Sequence, residues 1–352
     1  MVNNLDNTIK NILLVGNHFS DAQHNPNVSD DLAFHLRAVG HHVLTTSGKH
    51  NKMLRLVDML STILRNQQDY QLAQVDVFSG QAFTWAFLSV KLLRRLKKPV
   101  ILTLHGGNLP EFAQQHSKIV RELLSLADAV TAPSNYLLES MHQYRDDIIL
   151  ISNALEISKY TFIHRKKPKP ILVWLRAFHE IYHPEMAIEV LKQLKDEFPH
   201  VKLIMTGPDK GDGSLQKTQD LAVQFNLQDH VSFPGATSKP DVPARLHEGD
   251  IFLNTTNFDN TPISVMEAMA SGLSIVSTNV GGLPYLLEDG IDVLLVPPND
   301  PDVMAAAVKR ILTEPGLAEN LSANARKKAE QFDWSKILPQ WEKLFEEISS
   351  HG

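Results

Sequence analysis

The feature that most restricts this chain is a rhythm, in which short runs rich in Val, Ile and Leu recur and alternate with helical patterns. They stand at NILLVG (11–16), HHVLTT (41–46), VDVFSG (75–80), PVILTLHGG (99–107), DAVTAPS (128–134) and IILISN (148–153). Between them lie helical segments such as Ser29 to Val39, stopped by Gly40, and Ala82 to Leu96, ended before Pro99. Strands that are apolar on both sides are covered on both faces, so the pattern predicts a parallel, doubly wound α/β sheet. After Asn153 the rhythm breaks off in EISKYTFIHRKKPKP, a basic, proline-bearing stretch that reads as a linker. It resumes at PILVWL (170–175), VKLIMTG (201–207), HVSFPG (230–235), DIFLNT (250–255), SIVSTN (274–279) and VLLVPP (293–298). One intervening helix, Pro184 to Phe198, carries Met186, Ile188, Val190, Leu191, Leu194 and Phe198 on an apolar face.

A chain of 352 residues exceeds one ordinary core and fits two domains. The expected division is a first Rossmann-like domain over 1–155, a linker over 156–169, a second domain over 170–332, and a last helical segment over 333–352 that returns to the first domain. Ligands of such sheets sit beyond the carboxyl ends of the strands, so a cleft between the two domains is the expected site.

Composition removes several function classes. Hydrophobic residues make up 43% and charged residues 21%, the balance of a globular chain. The absence of cysteine excludes disulfides, thiolate nucleophiles and Cys-ligated zinc. A net charge of −6 argues against a general nucleic-acid binder. MVNNLDNTIKNILLVG lacks the basic start and apolar core of a secretion signal, and no run approaches bilayer-spanning length, so the cytoplasm is the expected compartment.

The stretch NTTNFDNTPISVMEAMASG (254–272) concentrates the chemistry. It follows the run DIFLNT and so lies at a strand's carboxyl end. Thr261 suits an N-cap, Pro262 a first helical position and Gly272 a stop. At helical spacing Ser264, Glu267 and Ser271 share one narrow strip, while Ile263, Val265, Met266, Ala268, Met269 and Ala270 cover the rest. The bland reading is that this strip faces water. The functional reading starts from the helix N-terminus, whose free N–H groups and positive dipole end form an anion site with Asp259 just ahead of it. Phosphate at the N–H groups and hydroxyls on the two carboxylates describe a sugar nucleotide.

The segment FDNTPISVMEAMASGLSIVSTNVGGLPYLLEDGIDVLLVPPNDP resembles the donor-binding region of retaining glycosyltransferases of family 4, which have the GT-B fold. The likeness continues in NLQDHVSFPGATSK, in LISNALEISKY, and in HHV and VILTLHGG. It implies two Rossmann-like domains and transfer of a sugar from a nucleoside-diphosphate sugar to a hydroxyl acceptor (glycan, lipid or small molecule), with retention and without a metal. It implies that Glu267 receives the ribose hydroxyls, that Asp259 receives those of the donor sugar, and that the backbone at Thr261, Pro262, Ile263 and Ser264 meets the diphosphate. Arg176, closing the run ILVWLR, would neutralise the leaving group, its planar fork matching phosphate oxygens. His105, in LTLHGGN, would contact the donor sugar or reacting centre, with Gly106 and Gly107 leaving room for it. Gly16, Gly207 and Gly235, each closing a strand run, complete the expected donor-binding set.

The chain departs from the family in places. Asp259 is one methylene shorter than the usual Glu, and Ile181 stands where a Lys follows the Arg, with Tyr182 and His183 beside it as substitutes. The Gly-rich loop after the first strand reads GNHFSDAQHNPNVSDD, the junction reads Asn153, Ala154, Leu155, Glu156, and Tyr285 replaces an acid. These departures keep open a non-catalytic sugar-nucleotide-binding or regulatory protein of the same fold. A nicotinamide dehydrogenase needs G-x-G-x-x-G where this chain has GNHFSD. The acidic DKGDG (209–213) reads as a turn rather than a metal site. Lys91, Arg94, Arg95, Lys97 and Lys98, beside Phe87, Leu88, Val90, Leu92, Leu93 and Leu96, could dock on the anionic inner face of a membrane or simply favour a helix C-terminus.

Overall fold

The computed structural model describes residues 10–18 and 27–350. The chain divides into two compact units, one taking the described residues up to Ala154 together with Trp334 onward, the other Leu155–Asp333.

The first unit is a sheet of β1 (Asn11–Val15), β2 (His42–Thr46), β3 (Leu72–Val77), β4 (Val100–Leu104), β5 (Ala129–Ala132) and β6 (Ile149–Leu150). Every pair is parallel, in the order β2-β1-β3-β4-β5-β6. Two differences from the apolar pattern stand out. β3 starts at Leu72, because Leu72, Ala73 and the buried Gln74 already pair with β1. β6 shrinks to two residues, an edge with Ile149 39% exposed, short as edge strands tend to be. One face of the sheet packs on helices that include Gln81–Arg95; the other packs Ile12, Leu14, Leu32 and Leu36 against Trp334, Ile337, Leu338, Trp341, Leu344 and Phe345 of the last helix, Trp334–Ser350.

The second unit repeats the plan with β7 (Ile171–Leu175), β8 (Lys202–Thr206), β9 (Val231–Gly235), β10 (Ile251–Asn254), β11 (Ser274–Thr278) and β12 (Leu294–Val296). These too are all parallel, in the order β12-β11-β10-β7-β8-β9. Helices cover both faces. The helix Ile263–Ser271 lies against Val173, Leu175, Phe252 and Ile275. Residues 156–169 belong to this unit: Ile157 and Tyr160 enter its core, and the buried Arg165 reaches Asp250 and the carbonyls of Gly249 and Ser271. Among the described residues no helix is long and apolar enough to cross a membrane.

Candidate active site

In the second unit the carboxyl ends of β7 and β10 place two charged loops together. β10 ends at Asn254, and the next residues are fixed by their hydroxyls. Trp174 Nε1 donates to Thr255 Oγ1 at 2.9 Å, and Thr255 Oγ1 donates to the Tyr182 carbonyl at 2.7 Å. Thr278 Oγ1 donates to the Thr256 carbonyl at 2.6 Å, and Asn257 N to the Ile181 carbonyl at 2.7 Å. This ties the loop after β10 to the short 3-10 turn Glu180–Tyr182. That turn is anchored in turn by Asp212, whose carboxylate accepts from Glu180 N at 2.8 Å and from Ser214 N at 3.0 Å. Those backbone bonds, Glu180 first, hold the Asp212 pKa down to about 2. DKGDG is thus the turn that starts the helix Ser214–Gln224.

Arg176, one residue past β7, sits at the centre. Its guanidinium pairs with Asp259, donates from Nη1 to Ser264 Oγ at 3.3 Å, and lies 4.2 Å from the centroid of the Tyr182 ring. Burial lowers its pKa, opposed by the neighbouring Tyr182 and the Glu267 carboxylate; a guanidinium remains a cation in proteins. Arg176 Nε and Thr261 Oγ1 are buried donors without a partner among the described residues.

The helix Ile263–Ser271 begins one residue later than its sequence suggests. Pro262, at φ −71° and ψ 113°, is extended and takes the N-cap position, and no side chain caps the helix. Thr261 is therefore not the cap. Pro262 also lacks an N–H, so Ile263 and Ser264 supply the first backbone donors. The far end is firmly held: Gly272 turns left-handed at φ 76°, and its Cβ, if it had one, would lie 2.6 Å from the Ile163 carbonyl. Arg326 Nη1 donates to the Ala270 carbonyl at 2.6 Å and Arg165 Nη1 to that of Ser271 at 2.8 Å.

The polar strip does not face water. Ser264, Glu267 and Ser271 are all buried, Glu267 to 4% exposure, because side chains from other elements cover it. Tyr160 Oη donates to Glu267 Oε1 at 2.7 Å, and Lys239 Nζ stands 3.5 Å from the same oxygen. Burial raises the Glu267 pKa, opposed by the Lys239 charge, the Tyr160 hydrogen bond and Arg176. Tyr160 and Lys239 were not among the residues singled out by sequence, although each closes a quoted stretch, ISKY and GATSK.

The glycines divide by what they touch. A Cβ on Gly207 would fall 1.6 Å from the Arg176 carbonyl, so Gly207 lets β8 lie against the residue that carries the guanidinium. Gly207 N donates to the Gly235 carbonyl at 3.0 Å, and Gly235 itself opens onto free space. A Cβ on Gly281 would meet the Asp259 carbonyl at 2.1 Å and one on Gly282 the Asn260 carbonyl at 2.0 Å.

A second cluster forms in the first unit, at the carboxyl ends of β1, β3 and β4. His105 Nε2 lies 3.0 Å from Asp76 Oδ1, and its ring stacks on Phe78 at 4.9 Å between centroids. Asp76 also accepts from Gln74 Nε2 at 2.8 Å and from Ser29 Oγ. Burial pushes the Asp76 pKa up, but the His105 charge and the hydrogen bonds from His105, Ser29 and Gln74 outweigh it, and the net displacement is downward. A Cβ on Gly16 would lie 2.4 Å from Asp76 Oδ2, so Gly16 makes room for this carboxylate. Gly106 turns left-handed at φ 78° beside Phe78, and Gly107 follows in the same turn, half-buried. Gln74, Asp76, Thr103, His105 and Trp341 share a cavity of about 20 Å³. Asp76 went unmarked within its apolar run. Of the loop after β1, residues 19–26 lie outside the described ones.

The basic end of the helix Gln81–Arg95 is largely engaged within its unit. Lys91 pairs with Glu122 at 3.0 Å, Arg94 with Asp128 at 2.8 Å, and Lys98 donates to the Tyr70 carbonyl at 2.7 Å. Val90 and Leu93 are in the core and Phe87, Leu92 and Leu96 pack against it, whereas Leu88, Arg95 and Lys97 are exposed. Among the described residues no group of three or more His, Cys, Asp or Glu could hold a metal ion.

Comparison with known proteins bears on both units. Residues 18–159 match the family model "Glycosyltransferase Family 4" and residues 157–328 match "Glycosyl transferases group 1". An uncharacterized glycosyltransferase of Methanocaldococcus jannaschii is 22% identical over 277 residues, 78% of this chain and 75% of that protein. The N-acetyl-alpha-D-glucosaminyl L-malate synthase of Bacillus anthracis is 24% identical over 280 residues, 75% of this chain and 71% of that protein. Among solved structures, the sucrose-phosphate synthase of Thermosynechococcus elongatus superposes with a TM-score of 0.79 at 18% identity, covering 97% of this chain and 99% of its own. Anabaena HepE, in complex with UDP and glucose, superposes with a TM-score of 0.75 at 16% identity, covering 96% of this chain and 100% of its own. Two units with wholly parallel sheets and two family models that meet at their junction carry one conclusion: the chain belongs to the family 4, group 1 glycosyltransferases and is a glycosyltransferase of the GT-B fold.

Proposed function

We propose that this enzyme takes a sugar from a nucleoside-diphosphate sugar and passes it to a hydroxyl acceptor, with retention at the anomeric carbon and without a metal. The observation that carries the reading is the gathering of two carboxylates, Asp259 and Glu267, and two cations, Arg176 and Lys239, around an uncapped helix N-terminus. Glu267 would accept the ribose hydroxyls and Asp259 those of the sugar. The N–H groups of Ile263 and Ser264, the Thr261 hydroxyl and the Arg176 fork would meet the diphosphate. As the bond between the anomeric carbon and the phosphate oxygen breaks, negative charge develops on the diphosphate, and the acceptor hydroxyl bonds to that carbon from the same face while its proton passes to the departing phosphate oxygen. Fixed donors in a buried site stabilise that charge, each typically worth about 10²–10³ in rate.

The HepE structures with UDP, with UDP and glucose, and with UDP-glucose support a donor of this class. For the first unit we propose acceptor and sugar contacts through His105, oriented by Asp76. Peripheral contact with anionic lipid would rest on Arg95 and Lys97. The test is a thermal-shift screen of nucleoside diphosphates and their sugars, since a ligand of the folded state raises the midpoint with the logarithm of its excess. One base should stand out, and release of its diphosphate from the sugar nucleotide should follow. A protein whose midpoint no nucleoside diphosphate moves would refute the reading.

A further inference from the structure

We propose that Lys239 is a second diphosphate-binding cation of this site, resting on Glu267 until the ribose hydroxyls of a nucleotide take over that carboxylate. The inference builds on the nucleotide-sugar reading above. Its starting point is charge. Arg176 pairs with Asp259 and Lys239 with Glu267, so the four groups sum to zero. Two phosphates entering while these pairs stay closed would meet little more than the partial charge of a helix end. Hydroxyls that donate to the carboxylates relieve both pairs together, leaving the charge of the fixed Arg176 unbalanced and Lys239 free to move to the phosphates.

The cations are held differently. Arg176 is fixed by Asp259, by Ser264 and by the face of Tyr182. Lys239 stands at 3.5 Å from a carboxylate oxygen that Tyr160 already engages at 2.7 Å, and its side chain is 31% exposed. It rises from the 3-10 turn Lys239–Asp241 just past the carboxyl end of β9. A four-carbon stem with a compact charge and rotatable donors adapts to a new partner more readily than a guanidinium stacked on a ring. Glu267, on which the ammonium group rests, lies three residues after Ser264, about one turn along the helix from the first backbone donors. The alternative position for a second cation, Ile181, is apolar, and its carbonyl is occupied by Asn257 N at 2.7 Å and Thr256 Oγ1 at 3.1 Å.

The experiment compares Lys239→Gln and Lys239→Arg with the parent by calorimetric titration of UDP, GDP and ADP and of uridine, guanosine and adenosine. Gln keeps a donor for Glu267 and loses the charge; Arg keeps the charge. For the base the parent prefers, Lys239→Gln should bind the diphosphate about ten- to a hundredfold more weakly, with the nucleoside unchanged or tighter. Lys239→Arg should recover most of the loss. Equal weakening of nucleoside and diphosphate would show that Lys239 only neutralises Glu267, and an unchanged diphosphate affinity would remove it from the site; either overturns the proposal. A parent that binds none of the three diphosphates overturns the nucleotide-sugar reading itself, and this inference with it.

Discussion

Replacing Gly282 with alanine should uncouple folding from chemistry. At φ −85° and ψ −5° the backbone there suits any L-residue, so the whole effect is steric. The added Cβ would stand 2.0 Å from the Asn260 carbonyl oxygen and 2.8 Å from its carbon. Non-bonded atoms at their optimum are about 3.5–4.0 Å apart, so the segment 259–260 must retreat by more than about 1 Å. Gly282 N also donates to the Asp259 carbonyl at 2.8 Å, and that link strains as the segment moves. Asp259 is the carboxylate paired with Arg176, and a displacement of about 1 Å in such a group costs on the order of 10²-fold in rate. Overpacking of this kind lowers stability by about 1–3 kcal/mol. The assay is nucleoside diphosphate released per mole of folded protein, with Gly290→Ala as control. Gly290, at φ 72°, has nothing within 4 Å of its missing Cβ; its variant bears a left-handed strain of about 1–2 kcal/mol and should turn over normally. If folded Gly282→Ala protein releases diphosphate at the parental rate, the loop does not set the position of Asp259 and the reasoning fails.

Glu267→Gln tests the cost of the buried carboxylate. Because its pKa is raised above the ordinary 4.5, between that value and its own the folded chain holds a proton that the unfolded chain has released. Stability therefore falls as pH rises through the window. The variant should melt higher than the parent at neutral pH and lose that slope; a lower midpoint at pH 7 would mean that Lys239 and Tyr160 outweigh burial. Asp76→Asn has the opposite sign. The Asp76 pKa is depressed below 3.8, so its contribution is complete above that value and disappears as pH falls through the folded one. Urea unfolding should show a stability deficit of about 1–3 kcal/mol at pH 7 that narrows as pH falls below 3.8, whereas a constant deficit would point to lost packing.

The sheets were legible because parallel strands covered on both faces must be apolar throughout, and every strand of both units lies within or against one of the quoted runs. The charged sites were legible only in part. A helical strip of Ser264, Glu267 and Ser271 identifies a polar face but not what covers it; the cover comes from Tyr160, 107 residues away, and from Lys239. Asp76 stood unmarked in its apolar run, since the register that sets it beside Thr103 and its contact with His105 exist only once β3 and β4 pair. Thr261 fits the usual capping preference, but the extended Pro262 moves the first helical dihedrals one residue on. Local propensity is a weak guide wherever side chains distant in sequence share a charge.

The first unit draws on both ends of the chain, Trp334 onward packing beneath β1 in the same core as Ile12 and Leu14. During synthesis its described strands emerge early, yet the apolar surface that receives Trp341, Leu344 and Phe345 stays open until the helix Trp334–Ser350 leaves the ribosome. Domains generally complete in order of emergence, the N-terminal one first. Here the strands of the intervening unit, Leu155–Asp333, are all synthesised before the earlier unit can bury its full core, so the half that emerges first cannot close before the second has been made.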